Sequence, residues 1–233
     1  MAEAPVHVWL LDDAVSNERS AKLVDVLSSD ELQRARGYRH VRDRARFTAR
    51  RGMLRILIGH YSGCAPESVR FTTGEFGRPM LQWPNADLCF SVTQTDRLAL
   101  IAFAWDCRIG IDAERMTDKL DLLGIADEVF SPAEQEMVTA SPPEARCETF
   151  FRIWTRKEAF LKALGTGLSH KPKSFTTSDF PKAVPDRRGV PEQGIATAGW
   201  TQYDLVLEPD LKVALAVSLD APRVTVQSCA LLV

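Results

Sequence analysis

The sequence predicts an α+β fold in which helices pack on small, mainly antiparallel sheets. Two observations point to it. Residues 88–114 hold three successive strand-like stretches, and three more follow Gln202, whereas the strongest helical pattern, Glu144 to Leu164, lies between those groups. Each half of the chain also holds further helical stretches, so each has helices and about three strands. No sequence repeat is strong enough to prove an internal duplication.

Taken in order, Val6 to Leu11 reads as a buried strand. Ser28-Ser29-Asp30-Glu31 supplies hydroxyl caps and first-turn acids for a helix start. Helical character runs from there to about Tyr61, broken near Gly37. Val69 to Thr72 is a short strand, followed by the glycine-rich turn Gly74-Glu75-Phe76-Gly77-Arg78-Pro79. Leu88, Phe90 and Val92 alternate, Arg97 to Trp105 is an apolar run, and Asp106-Cys107-Arg108 turns into Ile109 to Glu114. That order suggests a three-stranded antiparallel meander. Helices return from Asp121 to Phe130 and after Ser131-Pro132, and the long helix stops at Gly165-Thr166-Gly167. Residues 180–199 read as an exposed loop rich in Pro and Gly. Gln202 to Leu207, Lys212 to Leu219 and Val224 to Leu232 complete the strands.

A chain of 233 residues can form one large domain or two small lobes. Its net charge of -2 offers no general attraction to nucleic acid or an anionic membrane. No apolar run nears the roughly 20 residues that cross a bilayer. The start MAEAPVHVWLLDD lacks a signal peptide's basic and long apolar segments, so the cytoplasm is the expected compartment. Five cysteines form no C-x-x-C pair, and a disulfide framework is not expected. The four histidines show no metal-ligand spacing, so any bound metal must be held by oxygen.

Three groups of residues could carry chemistry. In a strand, Gly110, Asp112 and Glu114 share one face, while Ile109, Ile111 and Ala113 share the other. Two neighbouring carboxylates repel unless a cation separates them, and a hard divalent ion such as magnesium suits oxygen ligands and phosphates. By spacing alone, a solvated strand end is the commoner source of such a pair. On the long helix Glu158 and Lys162 stand at i and i+4, a pattern shared by a surface ion pair and by a metal ligand or base beside a phosphate-binding cation. Nine arginines from Arg34 to Arg55 face one acid, Asp43, and Arg42, Arg46 and Arg50 line one helical face. Such a cluster suits a phosphate-bearing ligand or an ordinary solvated face. It lacks the aromatic platform of a nucleic-acid binder.

The order and spacing of these groups resemble the 4′-phosphopantetheinyl transferases, specifically the larger surfactin-synthetase-type class with two lobes in one chain. The resemblance runs from about Ser28 to Leu168. It rests on GRPML at 77–81, FSVTQT at 90–95, IGIDAE at 109–114, FSPAE at 130–134 and WTRKEAFLKALGTGL at 154–168. It implies two similar, pseudo-twofold related lobes, an N-terminal one at 1–107 for coenzyme A and a C-terminal one at 108–233 for metal and carrier protein. It further implies transfer of the 4′-phosphopantetheine arm of coenzyme A to a serine of an acyl or peptidyl carrier protein, with release of adenosine 3′,5′-bisphosphate.

Carried onto this sequence, the resemblance makes Asp112, Glu114 and Glu158 ligands of magnesium, with manganese as an alternative. Lys162 would lie near the transferred phosphate. Arg34, Arg46, Arg78, Thr93 and Gln94 would contact coenzyme A. Glu158, directly or through a metal-bound water, is the expected base, and the chain is expected to act as a monomer. Leu122, Leu123, Ile125 and Phe130 could offer a carrier helix an apolar groove. The sequence departs from the family at two places. Thr93-Gln94-Thr95 stands where Ser-His-Ser is usual, so Gln94 cannot supply the histidine's positive charge. Glu31 stands one helical turn before Arg34, where a second basic residue is expected.

Overall fold

The computed structural model describes residues 5–12, 23–74, 77–84, 87–165, 172–177, 182–183, 199–219 and 222–229. In chain order its elements begin with β1 (Val6–Asp12), α1 (Ser29–Arg36), α2 (Val41–Ser62), β2 (Arg70–Thr73) and β3 (Pro79–Trp83). Strands β4 (Leu88–Gln94), β5 (Leu98–Trp105) and β6 (Ile109–Arg115) follow. Helices α3 (Leu122–Val129), α4 (Pro132–Ala140) and α5 (Pro143–Leu164) come next, then β7 (Lys182–Ala183), β8 (Thr201–Leu205), β9 (Leu211–Val217) and β10 (Val224–Ser228). Most of the loop expected at 180–199 lies outside the described residues, as does the Thr166-Gly167 part of the helix stop.

The helix ends follow from local chemistry. At α1 the Ser28 hydroxyl accepts from the Glu31 amide while the Glu31 carboxylate accepts from the Ser28 amide, a reciprocal capping box. Ser131 and Glu134 repeat it at α4. Helix α5 ends at Gly165, whose φ of 75° places it in the left-handed region that glycine adopts without a Cβ clash.

Among the described residues, ten strands form two four-stranded sheets and a β2–β3 hairpin. The first sheet has the order β10-β1-β5-β4 and the second β6-β9-β8-β7. This differs from the expected meander: β4 and β5 pair antiparallel, but β6 leaves their sheet and pairs with β9. The break falls at Asp106, whose φ of 50° turns the chain after β5. The last strand also crosses over, because β10 lies parallel to β1. A division at residue 107 therefore separates the sequence but leaves one strand of the second part in the first sheet.

Burial explains the apolar runs. On β5, Leu100, Ala102 and Ala104 enter a core shared by the two sheets, while Ala99, Ile101 and Phe103 pack toward α2. On β9, Leu211, Val213, Leu215 and Val217 enter the same shared core, while Ala214 and Ala216 pack against α5. Covered on both faces, these strands have no polar alternation to show. Each fully buried Leu, Ile or Phe contributes about 1.5–3 kcal/mol by leaving water. A third cluster joins α3, α4 and α5 through Phe130, Val138, Phe150 and Phe151. Among the described residues, no helix is long and apolar enough to cross a membrane.

Candidate active site

The site forms where the two sheets meet. Strands β4 and β6 are their facing edges, and side chains join them: the Ser91 hydroxyl accepts from the Ile111 amide at 3.1 Å, and the Thr93 hydroxyl accepts from the Ala113 amide at 3.2 Å. Ile109, Ile111 and Ala113 point into the shared core, as the alternation predicts. The opposite face, with Gly110, Asp112 and Glu114, turns toward α5. Gly110 is required there, since a Cβ would lie 2.0 Å from the Ala159 carbonyl oxygen and 2.4 Å from the Ala163 nitrogen. Helix α5 thus rests directly on the β6 backbone, which brings Glu158 and Lys162 opposite the two acids.

Asp112 is buried, at 4% exposure, so it is no solvated strand end. Its Oδ1 accepts from Lys162 Nζ at 2.6 Å and from the Thr93 hydroxyl at 3.2 Å. Lys162 Nζ also donates to the Ile111 carbonyl at 3.2 Å. Asp112 Oδ2 is equally buried and, among the described residues, has no hydrogen-bond partner. A cavity of about 490 Å³ opens beside it, walled by Thr93, Gln94, Glu114, Trp154, Glu158 and Lys162 among others. Three carboxylates there face one ammonium. Burial first, and then the charge of Asp112, push the Glu114 and Glu158 carboxyls above their ordinary range, with Lys162 opposing only in part.

These features fit a hard divalent cation. The donors are all oxygen, one buried carboxylate oxygen lacks a partner, and two acids are held in a setting that disfavours their charged forms. Among the described residues, however, no three acidic, histidine or cysteine side chains draw together as a complete metal cage. An ion that takes much of its shell from substrate phosphate and water needs no such cage, and magnesium commonly binds through one or two carboxylates in this way.

Arg78 has a different setting from a free phosphate-binding side chain. Its Nη1 donates to the carbonyls of Lys162 (2.6 Å) and Ala163 (3.1 Å), and its Nη2 to those of Phe90 (3.2 Å) and Ile109 (2.9 Å). It therefore ties β4 and β6 to the C-terminal end of α5, where carbonyls lack helical partners. It also lines a second cavity of about 260 Å³ with Gly77, Pro79, Phe90 and Gly165, which shares Val92 and Lys162 with the first.

Gln94 is exposed at the end of β4 and borders the larger cavity. Arg34 and Arg46 are not among the residues lining either cavity. Arg34 stands 5.4 Å over the Phe47 ring, and the Arg46 carbonyl accepts from Arg50 Nε. Glu31, the second departure, is a scaffold residue: it pairs with Arg51 and Arg55 of α2 while capping α1. Of the four apolar residues expected to meet a carrier, Phe130 is fully buried, Leu122 and Ile125 pack on the helical core, and only Leu123 is well exposed.

The anchoring of Asp112 by Thr93 and the bridge made by Ser91 were not expected. A signal existed, because Cys89, Ser91 and Thr93 alternate along β4 opposite the apolar Leu88, Phe90 and Val92. Such small polar side chains suit a seam.

Comparison with known proteins agrees with this geometry. A family model described as the 4′-phosphopantetheinyl transferase superfamily matches residues 108–216, the stretch that holds Asp112, Glu114, Glu158 and Lys162. The 4′-phosphopantetheinyl transferase HetI of Nostoc sp. is 34% identical over 211 residues, covering 84% of this chain and 89% of the relative. The 4′-phosphopantetheinyl transferase Sfp of Bacillus subtilis (strain 168) is 29% identical over 168 residues, 71% of this chain and 72% of the relative. The L-aminoadipate-semialdehyde dehydrogenase-phosphopantetheinyl transferase of Eremothecium gossypii is 30% identical over 185 residues, 77% of this chain and 63% of the relative. Because the likeness to HetI covers 84% of this chain and the matched family region contains Asp112, Glu114 and Glu158, this chain belongs to the 4′-phosphopantetheinyl transferase superfamily.

Proposed function

We propose that this chain transfers the 4′-phosphopantetheine arm of coenzyme A to a serine hydroxyl of an apo acyl or peptidyl carrier protein. The observation that carries this reading is the buried Asp112, with one oxygen anchored and the other unpartnered, beside a cavity shared with Glu114, Glu158 and Lys162.

Asp112, Glu114 and Glu158 would hold magnesium, or manganese in its place, against the pyrophosphate of coenzyme A. When bound, that ion would neutralise charge as the phosphoanhydride opens. Lys162 Nζ, already on the cavity wall, would stabilise charge on the phosphate oxygens. A Glu158 carboxylate oxygen would take the proton from the serine Oγ, a role suited to a carboxyl whose burial raises its proton affinity. The serine oxygen then bonds to the pantetheine-side phosphorus, and the bond to the nucleotide phosphate breaks, releasing adenosine 3′,5′-bisphosphate. Trp154 forms one wall of the cavity, and its side chain hydrogen-bonds Glu114.

The first lobe, 1–107, would hold the nucleotide end of coenzyme A. Arg34 and Arg46 would serve its phosphates, Gln94 and Thr93 would border the pyrophosphate, and Arg78 would shape the smaller cavity through its bonds to β4, β6 and α5. The second lobe, 108–233, would meet the carrier through exposed Leu120 and Leu123, which follow the acid-bearing strand. By analogy with the two-lobed class it resembles, we read the active form as a monomer that acts in the cytoplasm without nucleic acid or membrane.

The test is incubation with coenzyme A, magnesium and a panel of apo-carrier proteins. Carriers should gain the mass of one phosphopantetheine arm, and the gain should vanish with Asp112→Ala or Glu158→Gln. Full transfer by both variants would remove the proposed site.

A further inference from the structure

We infer that Thr93 is a positioning residue that sets the orientation of Asp112 across the junction of the two lobes. This deepens the proposed function and rests on it, because it concerns how Asp112 is presented to a divalent cation. A threonine on a loop beside phosphate would most simply be a ligand contact, but Thr93 is buried in β4 with its hydroxyl facing β6. That hydroxyl has one proton, and its geometry directs it to Asp112 Oδ1 at 3.2 Å, while its lone pair accepts from the Ala113 amide at 3.2 Å. Both bonds end on the strand that carries Asp112.

The second hold on Oδ1 is Lys162 Nζ at 2.6 Å, which comes from α5. Donors on two different elements thus converge on one oxygen, and the carboxylate cannot rotate without breaking both bonds. Oδ2, buried and unpartnered, is left as the free donor atom. Lys162 alone would be a poor guide, since an ammonium on a flexible four-carbon stem can follow the carboxylate as it turns. Thr93 sits on a sheet strand with a stiff, β-branched side chain, so its hydroxyl supplies the fixed reference. Ser91, two residues earlier on the same face, makes the matching bridge to the Ile111 amide but, among the described residues, no bond to a carboxylate, which makes it an internal control.

The experiment measures manganese binding to the resting protein, without coenzyme A, by electron paramagnetic resonance, for wild type, Thr93→Val, Thr93→Ser and Ser91→Ala. Hydrogen bonds that orient a metal-binding carboxylate typically account for roughly 10–100-fold in affinity. Thr93→Val should weaken manganese binding by about tenfold or more, while Thr93→Ser, which keeps the hydroxyl, should stay within about threefold of wild type. Ser91→Ala should lower the melting temperature without a comparable loss of manganese affinity. In transfer assays, Thr93→Val should raise the metal concentration needed for half-activity more than the KM for coenzyme A.

Unchanged manganese affinity in folded Thr93→Val would overturn the inference, as would a rise confined to the coenzyme A KM, the mark of direct ligand contact. An equal loss in Ser91→Ala would also overturn it, by assigning the effect to the seam as a whole. If wild type itself bound no manganese and modified no carrier, the proposed function would fall instead.

Discussion

The two halves of the molecule repeat one order of elements but pack their long helices differently. In the first, β1, α2, β4 and β5 give a sheet segment β1-β5-β4; in the second, β6, α5, β8 and β9 give β6-β9-β8. Both helices have 22 residues. The layer beneath them differs. Helix α2 meets its sheet through large side chains, among them Met53, Leu57, Phe90, Ile101 and Phe103. Helix α5 uses Ala159 and Ala163 against Ala214 and Ala216, and lies on Gly110. A thick apolar layer keeps helix and strand polar groups apart, whereas a thin one brings a lysine and a glutamate to the acids of β6.

The buried charges differ from site to site rather than from half to half. Below α2, Arg55 Nε donates to Glu31 at 2.6 Å and its Nη1 to the carbonyls of Pro66 and Val69, so Arg55 and Glu31 satisfy one another and their surroundings. The pair Lys157–Glu134 is closed too: Glu134 accepts from Ser131 and Thr177, and Lys157 donates to the carbonyls of Pro172 and Phe175. Asp112 keeps one oxygen without a partner among the described residues. Burial alone does not mark function in this chain; an unfilled bonding capacity beside a cavity does.

Breaking a closed pair gives the largest effect on folding. Removing one partner of a buried ion pair costs about 3–5 kcal/mol, so Arg55→Met should lower the unfolding free energy by that order in a urea titration. Asp112→Ala should do the reverse of a structural change. It relieves crowded negative charge and leaves behind Lys162, whose side chain is a third exposed and can be hydrated, so stability should stay within about 1 kcal/mol of wild type, while carrier modification falls on the order of a hundredfold or more. If Arg55→Met proved harmless, or Asp112→Ala unfolded the chain, the contrast between the closed pair and the open site would collapse.

Acid should sharpen the same contrast. Burial pushes the Glu31 carboxyl up, but the hydrogen bond from Arg55, the Ser28 amide and the charge and bond of Arg51 outweigh it, leaving the group below its ordinary 4.5. The folded state then binds the Glu31 proton less readily than the unfolded chain. Its contribution is present above about pH 4.5 and is lost as pH falls through the lower folded value. The stability gap between wild type and Glu31→Gln, followed by urea unfolding, should therefore be constant at neutral pH and narrow below 4.5. A gap that widened in acid would contradict the assignment of Glu31 to the scaffold.

Local chemistry in the sequence announced much of this. Both capping boxes, the stop at Gly165 and the shared face of Gly110, Asp112 and Glu114 depend on residues within a few positions of each other. Asp112, Glu114, Glu158 and Lys162 do line one cavity. What stayed hidden depends on partners far along the chain. Nothing between Leu88 and Glu114 states that β6 pairs with β9 a hundred residues later, and an apolar strand does not name its neighbour. Arg78 reads as a basic turn residue, yet four carbonyls from three elements receive its guanidinium. Glu31 looks like a lost phosphate contact because the arginines it holds, Arg51 and Arg55, are recognised only once α1 lies on α2.

Gln94 offers the smallest and most selective probe of the nucleotide side. It is exposed on the rim of the larger cavity, at the end of the strand that anchors Asp112 two residues earlier. A neutral amide there can donate a hydrogen bond to a phosphate but adds no charge. Gln94→His restores a group that can be cationic, and a charge-assisted bond is worth about 1–2 kcal/mol more than a neutral one, roughly five- to thirtyfold in affinity. An imidazole is charged only below its ordinary pKa of about 6.5. Calorimetric titration should therefore show coenzyme A binding tightened in Gln94→His at pH 6, with much of the gain gone at pH 8. Manganese affinity without coenzyme A should not move, because the substitution leaves the bonds of Asp112 intact. An equal gain at both pH values would assign the effect to ring stacking rather than charge. No gain at either would mean that the first lobe already neutralises the phosphates by other means, with the arginines of α1 and α2 as the next residues to test.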